Sequence, residues 1–191
     1  MKKRLLLHSC CAPCSIYILQ QLMSSWDLTV YFYDPNIHPR AEYNQRRDEM
    51  KNYTAKLGLD FIEGPYDSLA WLEKTKGLED EPERGKRCDQ CFDLRLGETA
   101  RFAKLEKYDA FATVLTISPH KDAQKISLIG QKLAQSFGLE FLDRDWKKKD
   151  GFKISCALSK EQGFYRQDYC GCLYSKRDSL LRKVKREKNE N

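Results

Sequence analysis

The sequence predicts a doubly wound, mostly parallel α/β sheet, and three observations carry that expectation. Short apolar or β-branched runs of strand length alternate with longer stretches of helical spacing along the chain. Leu139-Glu140-Phe141-Leu142 echoes Leu59-Asp60-Phe61-Ile62, and each run follows a glycine, Gly138 or Gly58, that ends a helical stretch. The first strand-like run is followed at once by Cys10-Cys11-Ala12-Pro13-Cys14, at the end of the sheet where open α/β proteins bind ligands.

Taken in order, Arg4-Leu5-Leu6-Leu7-His8 has the apolar content of a buried strand, and a helical pattern begins at Ser15-Ile16-Tyr17-Ile18-Leu19. Leu28 to Tyr33 is a β-branched and aromatic strand stopped by Asp34-Pro35-Asn36. From about Arg40 to Leu57, Tyr43, Met50, Tyr53 and Leu57 recur at helical spacing among charges, Gly58 ends the helix, and Leu59 to Ile62 returns to the sheet. A helix from about Cys91 to Lys107 precedes a strand over Ala110 to Ile117, which stops at Ser118-Pro119-His120-Lys121. Ile126 to Phe137 is helical and leads into the last strand. All of 1–191 is expected to be one domain, with a basic C-terminal helix and tail over 176–191. Leu173, Leu180, Leu181 and Val184 give that helix an apolar side for docking on the sheet.

The basic start, Lys2-Lys3-Arg4, precedes an apolar run too short for a signal peptide, and no run reaches the roughly 20 apolar residues of a membrane span. A cytoplasmic protein with no membrane partner is expected, in which clustered cysteines are metal ligands or redox thiols rather than structural disulfides. The net charge of +6, with basic runs at Lys147-Lys148-Lys149 and from Lys176 to Lys188, makes a polyanionic partner plausible.

No glycine-rich dinucleotide or P-loop signature occurs, and thiols stand where such a loop would lie. Of the eight cysteines, five form two clusters, Cys10, Cys11 and Cys14 in one and Cys88 with Cys91 in the other. Thiolates suit Zn²⁺ or an iron–sulfur cluster. A zinc ribbon would pair Cys11-x-x-Cys14 with Cys88-x-x-Cys91, leaving Cys10 unexplained. Two adjacent cysteines plus Cys88 and Cys91 would instead supply four thiolates to a cuboidal cluster and leave Cys14 beside it. Cys170-Gly171-Cys172 could bind metal, form an easily reduced disulfide or lie buried, while solitary Cys156 reads as a core residue. Candidate proton donors are His8, His38 and His120. Asp34 and Arg87 are candidates for orienting the site, and Tyr165 and Tyr169 for stacking on a base.

His8-x-Cys10-Cys11-Ala12-Pro13-Cys14, Tyr33-Asp34-Pro35-Asn36-Ile37-His38-Pro39, Arg87-Cys88-x-x-Cys91, Thr113 to Lys121 and Tyr169-Cys170-Gly171-Cys172 together resemble the cobalamin-independent epoxyqueuosine reductase family. The resemblance runs from His8 to about Ser175. It implies a Rossmann-like fold of the adenine-nucleotide hydrolase-like superfamily and two-electron deoxygenation of epoxyqueuosine in tRNA to queuosine. It also implies a [4Fe-4S] cluster on Cys10, Cys11, Cys88 and Cys91, an additional iron ion beside it, an external ferredoxin- or flavodoxin-like electron donor and no use of cobalamin. Cys14 and Asp89 are candidate ligands of the second iron, with Cys170 and Cys172 as rivals. His8 and His120 join these four as candidate catalytic residues. Two other classes stand beside this one: a zinc-stabilised RNA-binding module, and an ATP-dependent tRNA-modifying enzyme of the same fold.

Overall fold

The structure, a computed structural model, describes residues 1–189, with side chains described as far as Glu187; the last two residues of the expected C-terminal tail lie outside the described residues. Five strands, β1 (Arg4–His8), β2 (Asp27–Phe32), β3 (Asp60–Glu63), β4 (Ala110–Thr113) and β5 (Glu140–Phe141), form one sheet in the order β3-β2-β1-β4-β5. Every pairing is parallel, with Leu6 of β1 opposite both Thr29 of β2 and Phe111 of β4. The helices are α1 (Ala12–Leu22), α2 (Arg40–Lys56), α3 (Ser68–Lys74), α4 (Lys86–Leu105), α5 (Ala123–Phe137), α6 (Gly151–Glu161) and α7 (Leu173–Asn189).

Both faces of the sheet are covered, which is why β1 is apolar without alternation. Leu5 and Leu7 pack with Ile16, Leu19 and Met50 of α1 and α2, while Leu6 and Phe111 meet Ala100, Ala103 and Ala134 of α4 and α5. The fold is therefore doubly wound. From β1 the chain moves outward to β2 and β3, then crosses back to β4 on the other side of β1. The connections leaving β1 and β4 thus diverge to opposite faces, and the gap between them is the crevice of an open α/β sheet.

Gly58 and Gly138 both adopt left-handed backbone, at φ 67° and 62°, which accounts for the repeated helix-to-strand phrase. Several boundaries differ from expectation. Helix α4 starts at Lys86, not near Cys91, so Cys88 and Cys91 lie inside its first two turns. The fourth strand ends at Thr113, whose Oγ1 accepts the N–H of Leu115 at 3.1 Å and turns the chain into a 3₁₀ helix over Leu115–Ile117. The sequence reading did not anticipate α3 and α6; α3 has only seven residues, too few to show a helical period. The apolar stripe on α7 does not dock on the sheet, since Leu180, Leu181 and Val184 are 54%, 56% and 47% exposed. The start of α7 is anchored through Leu173 and Tyr174 beside Trp71 and Cys91, and farther along Ser179 Oγ donates to Asp168 O at 3.3 Å.

Helix α6 lies on α1, and Ser155 Oγ donates to Pro13 O at 2.7 Å inside the cysteine cluster. At Gly151, where α6 begins, an added Cβ would collide with the main-chain carbonyl oxygen of Trp146. Gly151→Ala is therefore expected to destabilise the fold by about 1–3 kcal/mol, the usual cost of overpacking. Chemical denaturation checks this as a lower midpoint at unchanged slope; an unchanged midpoint would mean that the Trp146 carbonyl moves aside freely.

Candidate metal centre

Cys11 is the N-cap of α1, in extended backbone at φ −176°, and Pro13 occupies the first turn, where a missing N–H costs nothing. That turn folds Cys14 back toward Cys10 and Cys11, and the three sulfurs lie within 4.8 Å of one another. Cys10 Sγ and Cys11 Sγ are 4.0 Å apart. Two thiolates on one tetrahedral metal are roughly 3.8 Å apart at metal–sulfur bonds of about 2.3 Å, so this spacing suits shared ligation. Hydrogen bonds with Cys10 and Cys14 hold the Cys11 thiol well below its ordinary pKa, and hydrogen bonds with Cys10 and Cys11 push Cys14 up. Gln167 Nε2 also donates to Cys11 Sγ, at 3.2 Å.

A second group of thiols lies on α4 and in the turn before α7. Cys88 and Cys91 are one turn apart on α4, and burial, reinforced by the nearby Cys170 and Cys172, pushes them up to about 11 and about 12. The sulfur of Cys88 accepts the N–H of Arg84 at 3.3 Å, and that of Cys172 accepts the N–H of Ser175 at 3.3 Å as α7 begins. The thiols thus gather at the N-terminal ends of α1, α4 and α7, where unpaired N–H groups and the helix dipole favour negative charge.

Gly171 makes the Cys170–Cys172 turn possible. Its φ of 135° belongs to glycine, and an added Cβ would meet Ile37 at 3.0 Å and Arg46 Nη1 at 3.2 Å. The turn is fastened to the Asn36–Pro39 loop, with Tyr169 O–H donating to His38 O at 2.6 Å and His38 N–H donating to Gly171 O at 2.8 Å. Buried Arg46 completes the fastening, donating to Cys170 O at 3.0 Å and Tyr169 O at 3.3 Å while its Nε holds Glu42.

Two more cations stand among the thiols. Arg95 is buried and paired with buried Asp34; burial opposes its charge, but Asp34, Cys91, Cys10 and Cys170 keep its pKa above the ordinary value. Burial likewise opposes the Lys121 ammonium, yet Cys170, Cys10 and Cys14 hold its pKa above the ordinary value. In the floor of the site His8 is fully buried, and burial drives its pKa down to about 3. Its Nδ1 meets Thr113 Oγ1 at 2.9 Å and its Nε2 meets Tyr33 O at 3.3 Å, so a neutral imidazole braces the ends of β1, β2 and β4.

Above this floor, between the loops after β1 and β4, lies a cavity of about 290 Å³. Cys10, Cys14 and Cys170 line it together with His120, Lys121, Tyr169, Arg166 and Arg182. The structure thus brings Cys10, Cys11 and Cys14 into one group, places Cys88, Cys91, Cys170 and Cys172 in a second, and sets His120 on the cavity wall. His8 and Asp89 are not part of that wall. Asp89 is held by Lys125, with its two oxygens 3.0 and 2.8 Å from Nζ. His38 is tied to Asn36 O through Nδ1 at 2.8 Å, and Arg87 donates to the carbonyls of Glu79 and Glu81. Tyr165 is tied to Glu42 at 3.0 Å and does not face the cavity. Cys156, expected in the core, is half-buried on the cavity wall and accepts from Arg166 Nη2 at 3.3 Å. Arg46, Arg95, Lys121 and Gln167 escaped the sequence reading. Two of them left a trace there, Lys121 as the end of the Thr113 to Lys121 run and Arg95 as a charge one turn from Cys91 on the apolar side of α4.

The donor chemistry fits an iron–sulfur group, with soft thiols in a buried setting and cations at hand, while the Cys10–Cys11 spacing of 4.0 Å is that of two thiolates on one metal ion. Residues 5–178 match the family described as "Epoxyqueuosine reductase QueH". Among curated proteins of that name, the chain is 43% identical to the one from Histophilus somni and 42% to the one from Haemophilus influenzae, in each case over 92% of this chain and 73% of the relative. It is 34% identical to the Thermotoga maritima protein, over 89% of this chain and 88% of that one. Among solved structures, the U34-tRNA thiolase NcsA from Methanococcus maripaludis with its [4Fe-4S] cluster superposes with a TM-score of 0.55, at 14% identity, over 95% of this chain and 66% of that one. That likeness shows the fold alone.

Replacing Gly171 by Ala is expected to cost about 1–3 kcal/mol, the strain of a side chain at that φ, and to loosen the turn. Thiol labelling with a small alkylating reagent checks the site: Cys170 and Cys172 should react faster in the variant while Cys10 and Cys11 do not. Unchanged labelling rates would mean that Arg46 and Tyr169 hold the turn without the glycine.

Proposed function

Because the chain belongs to the epoxyqueuosine reductase QueH family, we propose that the thiol-lined cavity at the ends of β1 and β4 is where it removes the epoxide oxygen of epoxyqueuosine in tRNA. The enzyme is an oxidoreductase of queuosine biosynthesis. Its reaction consumes two electrons and two protons, leaves a cyclopentene and releases water. The observation that carries this assignment is the thiol triad of Cys10, Cys11 and Cys14, opening into a cavity that also holds His120 and Lys121.

Cys10, Cys11, Cys88 and Cys91 would hold the [4Fe-4S] cluster, and Cys14 and Cys170, which face the cavity, would hold the further iron. Bound there, these groups would supply single electrons and a Lewis acid for the epoxide oxygen, without cobalamin. The chain's own residues do the rest. Arg46, with the Asn36–Pro39 loop, sets the height of Cys170, and Arg95 lies behind Cys10, Cys91 and Cys170 as a fixed positive charge. His120, exposed on the cavity wall, can exchange protons with solvent, whereas neutral His8 braces the floor. Asp89 could join a metal only by leaving Lys125.

The tRNA would be held by cations at the cavity mouth more than by α7 as a whole. Arg177 is engaged by Asp178 and Asp80, and Lys183 by Asp168, while Arg166 and Arg182 line the cavity. As a tRNA-modifying enzyme it would act in the cytoplasm, and a ferredoxin- or flavodoxin-like protein would supply the electrons.

The direct test incubates anaerobically reconstituted, reduced protein with epoxyqueuosine-containing tRNA and follows the modified nucleoside by mass spectrometry. Loss of one oxygen atom is expected; an unchanged nucleoside contradicts the assignment. Ser in place of Cys10, Cys11, Cys88 or Cys91 should lower bound iron and sulfide and abolish reduction. Cys14→Ala and Cys170→Ala should keep the cluster's visible absorption and slow reduction by roughly a hundredfold or more. Full activity in Asp89→Asn would remove Asp89 from the metal set. Arg166→Gln combined with Arg182→Gln should weaken tRNA binding and flatten its salt dependence by up to about two units of slope, equally for modified and unmodified tRNA.

A further inference from the structure

We propose that Lys121 is a catalytic residue of this reductase, its ammonium binding the epoxide oxygen and donating the first proton to it as the carbon–oxygen bond breaks. The inference deepens the assignment above and rests on it.

Lys121 closes the Ser118–Lys121 turn after β4, on the far side of the cavity from the cysteine cluster after β1. Its main chain is fixed at both ends, with N–H donating to Ser118 O at 3.2 Å and its carbonyl accepting from Lys147 Nζ at 2.9 Å. The side chain is half-buried in the cavity wall that Cys10, Cys14 and Cys170 also line, and its Nζ makes no hydrogen bond or ion pair among the described residues. The other lysines close to the site are occupied: Lys125 by Asp89, Lys147 by Lys121 O and Lys183 by Asp168. Of the carboxylates on the wall, Asp168 is taken by Lys183, and Glu83 makes no ion pair with Lys121. A lysine anchored at its backbone, with an unpaired ammonium on the wall of the cavity that Cys10, Cys14 and Cys170 also line, is a preorganised donor for charge developing on oxygen.

The chemistry requires such a group. Two electrons added to the epoxide break the first carbon–oxygen bond, the bond pair leaving on oxygen and the added pair on carbon, where it later becomes the second bond of the alkene; the proton from Lys121 turns the oxygen into a hydroxyl. Breaking the second bond forms the alkene; the hydroxyl leaves with a second proton as water, for which exposed His120 is placed. The two electrons come from the external donor, and Lys121 regains its proton from solvent through the cavity mouth.

The test uses metal-loaded Lys121→Gln and Lys121→Arg with two readouts. Without reductant, affinity is measured for tRNA carrying epoxyqueuosine and for tRNA carrying queuosine. Because only the epoxide offers the oxygen, Lys121→Gln should weaken the first roughly tenfold, the scale of one charged hydrogen bond, and leave the second unchanged. With reductant, Lys121→Gln should slow single-turnover reduction by roughly a hundredfold or more at unaltered iron and sulfide content, and Lys121→Arg should restore binding preference but only part of the rate. Wild-type rate in Lys121→Gln, equal loss of affinity for both tRNAs, or loss of iron would each overturn the role. Absence of any reduction by the wild-type protein would instead strike the functional assignment itself.

Discussion

Crowding thiols at the edge of a sheet in a medium of low dielectric makes negative charge among them costly, which pushes Cys88 and Cys91 up to about 11 and about 12, and much of this structure follows from how such charge is offset. Three helix N-termini converge on the thiols, at Cys11 of α1, Cys88 and Cys91 of α4 and Cys172 before α7. Three cations, Arg46, Arg95 and Lys121, stand behind or among them. Buried guanidinium groups are costly unless paired and hydrogen-bonded, and Arg95 finds Asp34 while Arg46 finds Glu42 and two carbonyls. Some polar atoms remain without partners, among them Asp34 Oδ2 and Arg95 Nε, as expected where a scaffold favours a site over its own stability.

The strand order supplies the place. With β1 and β4 adjacent and their connections diverging, the loops after them face each other across the crevice, one bringing Cys10, Cys11 and Cys14 and the other His120 and Lys121. The loop after β2 brings Asp34 and the Asn36–Pro39 segment, onto which the Cys170–Cys172 turn docks from a distance of more than a hundred residues in sequence. His8 ties the three strand ends together while staying neutral, so it adds no charge to the floor beneath the thiols.

Much of this was legible in the sequence, for physical reasons. Apolar β1, the Gly58 and Gly138 helix ends and the alternation of strand and helix fixed the fold class, because local propensity and tertiary burial agree there. The cysteine spacing pointed to gathered thiols, and Cys10, Cys11 and Cys14 do lie within 4.8 Å of one another. What escaped depended on three-dimensional contact: α3 is too short to show a period, the 3₁₀ turn after Thr113 hangs on one hydroxyl, and the exposed stripe on α7 had the pattern of a buried one. Arginines resemble surface residues in a sequence, so the burial of Arg46 and Arg95 could not be read, and Asp89 looked free until Lys125 was seen to hold it.

We propose that the thiols at this edge hold both an iron–sulfur cluster and a separate iron on the substrate side. Iron Mössbauer spectroscopy of the anaerobically reconstituted protein tests it most directly, with Cys14→Ala as the comparison. The account predicts a [4Fe-4S] signal in both proteins and a distinct mononuclear component that is lost in Cys14→Ala. A colourless protein holding only zinc, or a single iron environment unaffected by the loss of Cys14, would contradict it.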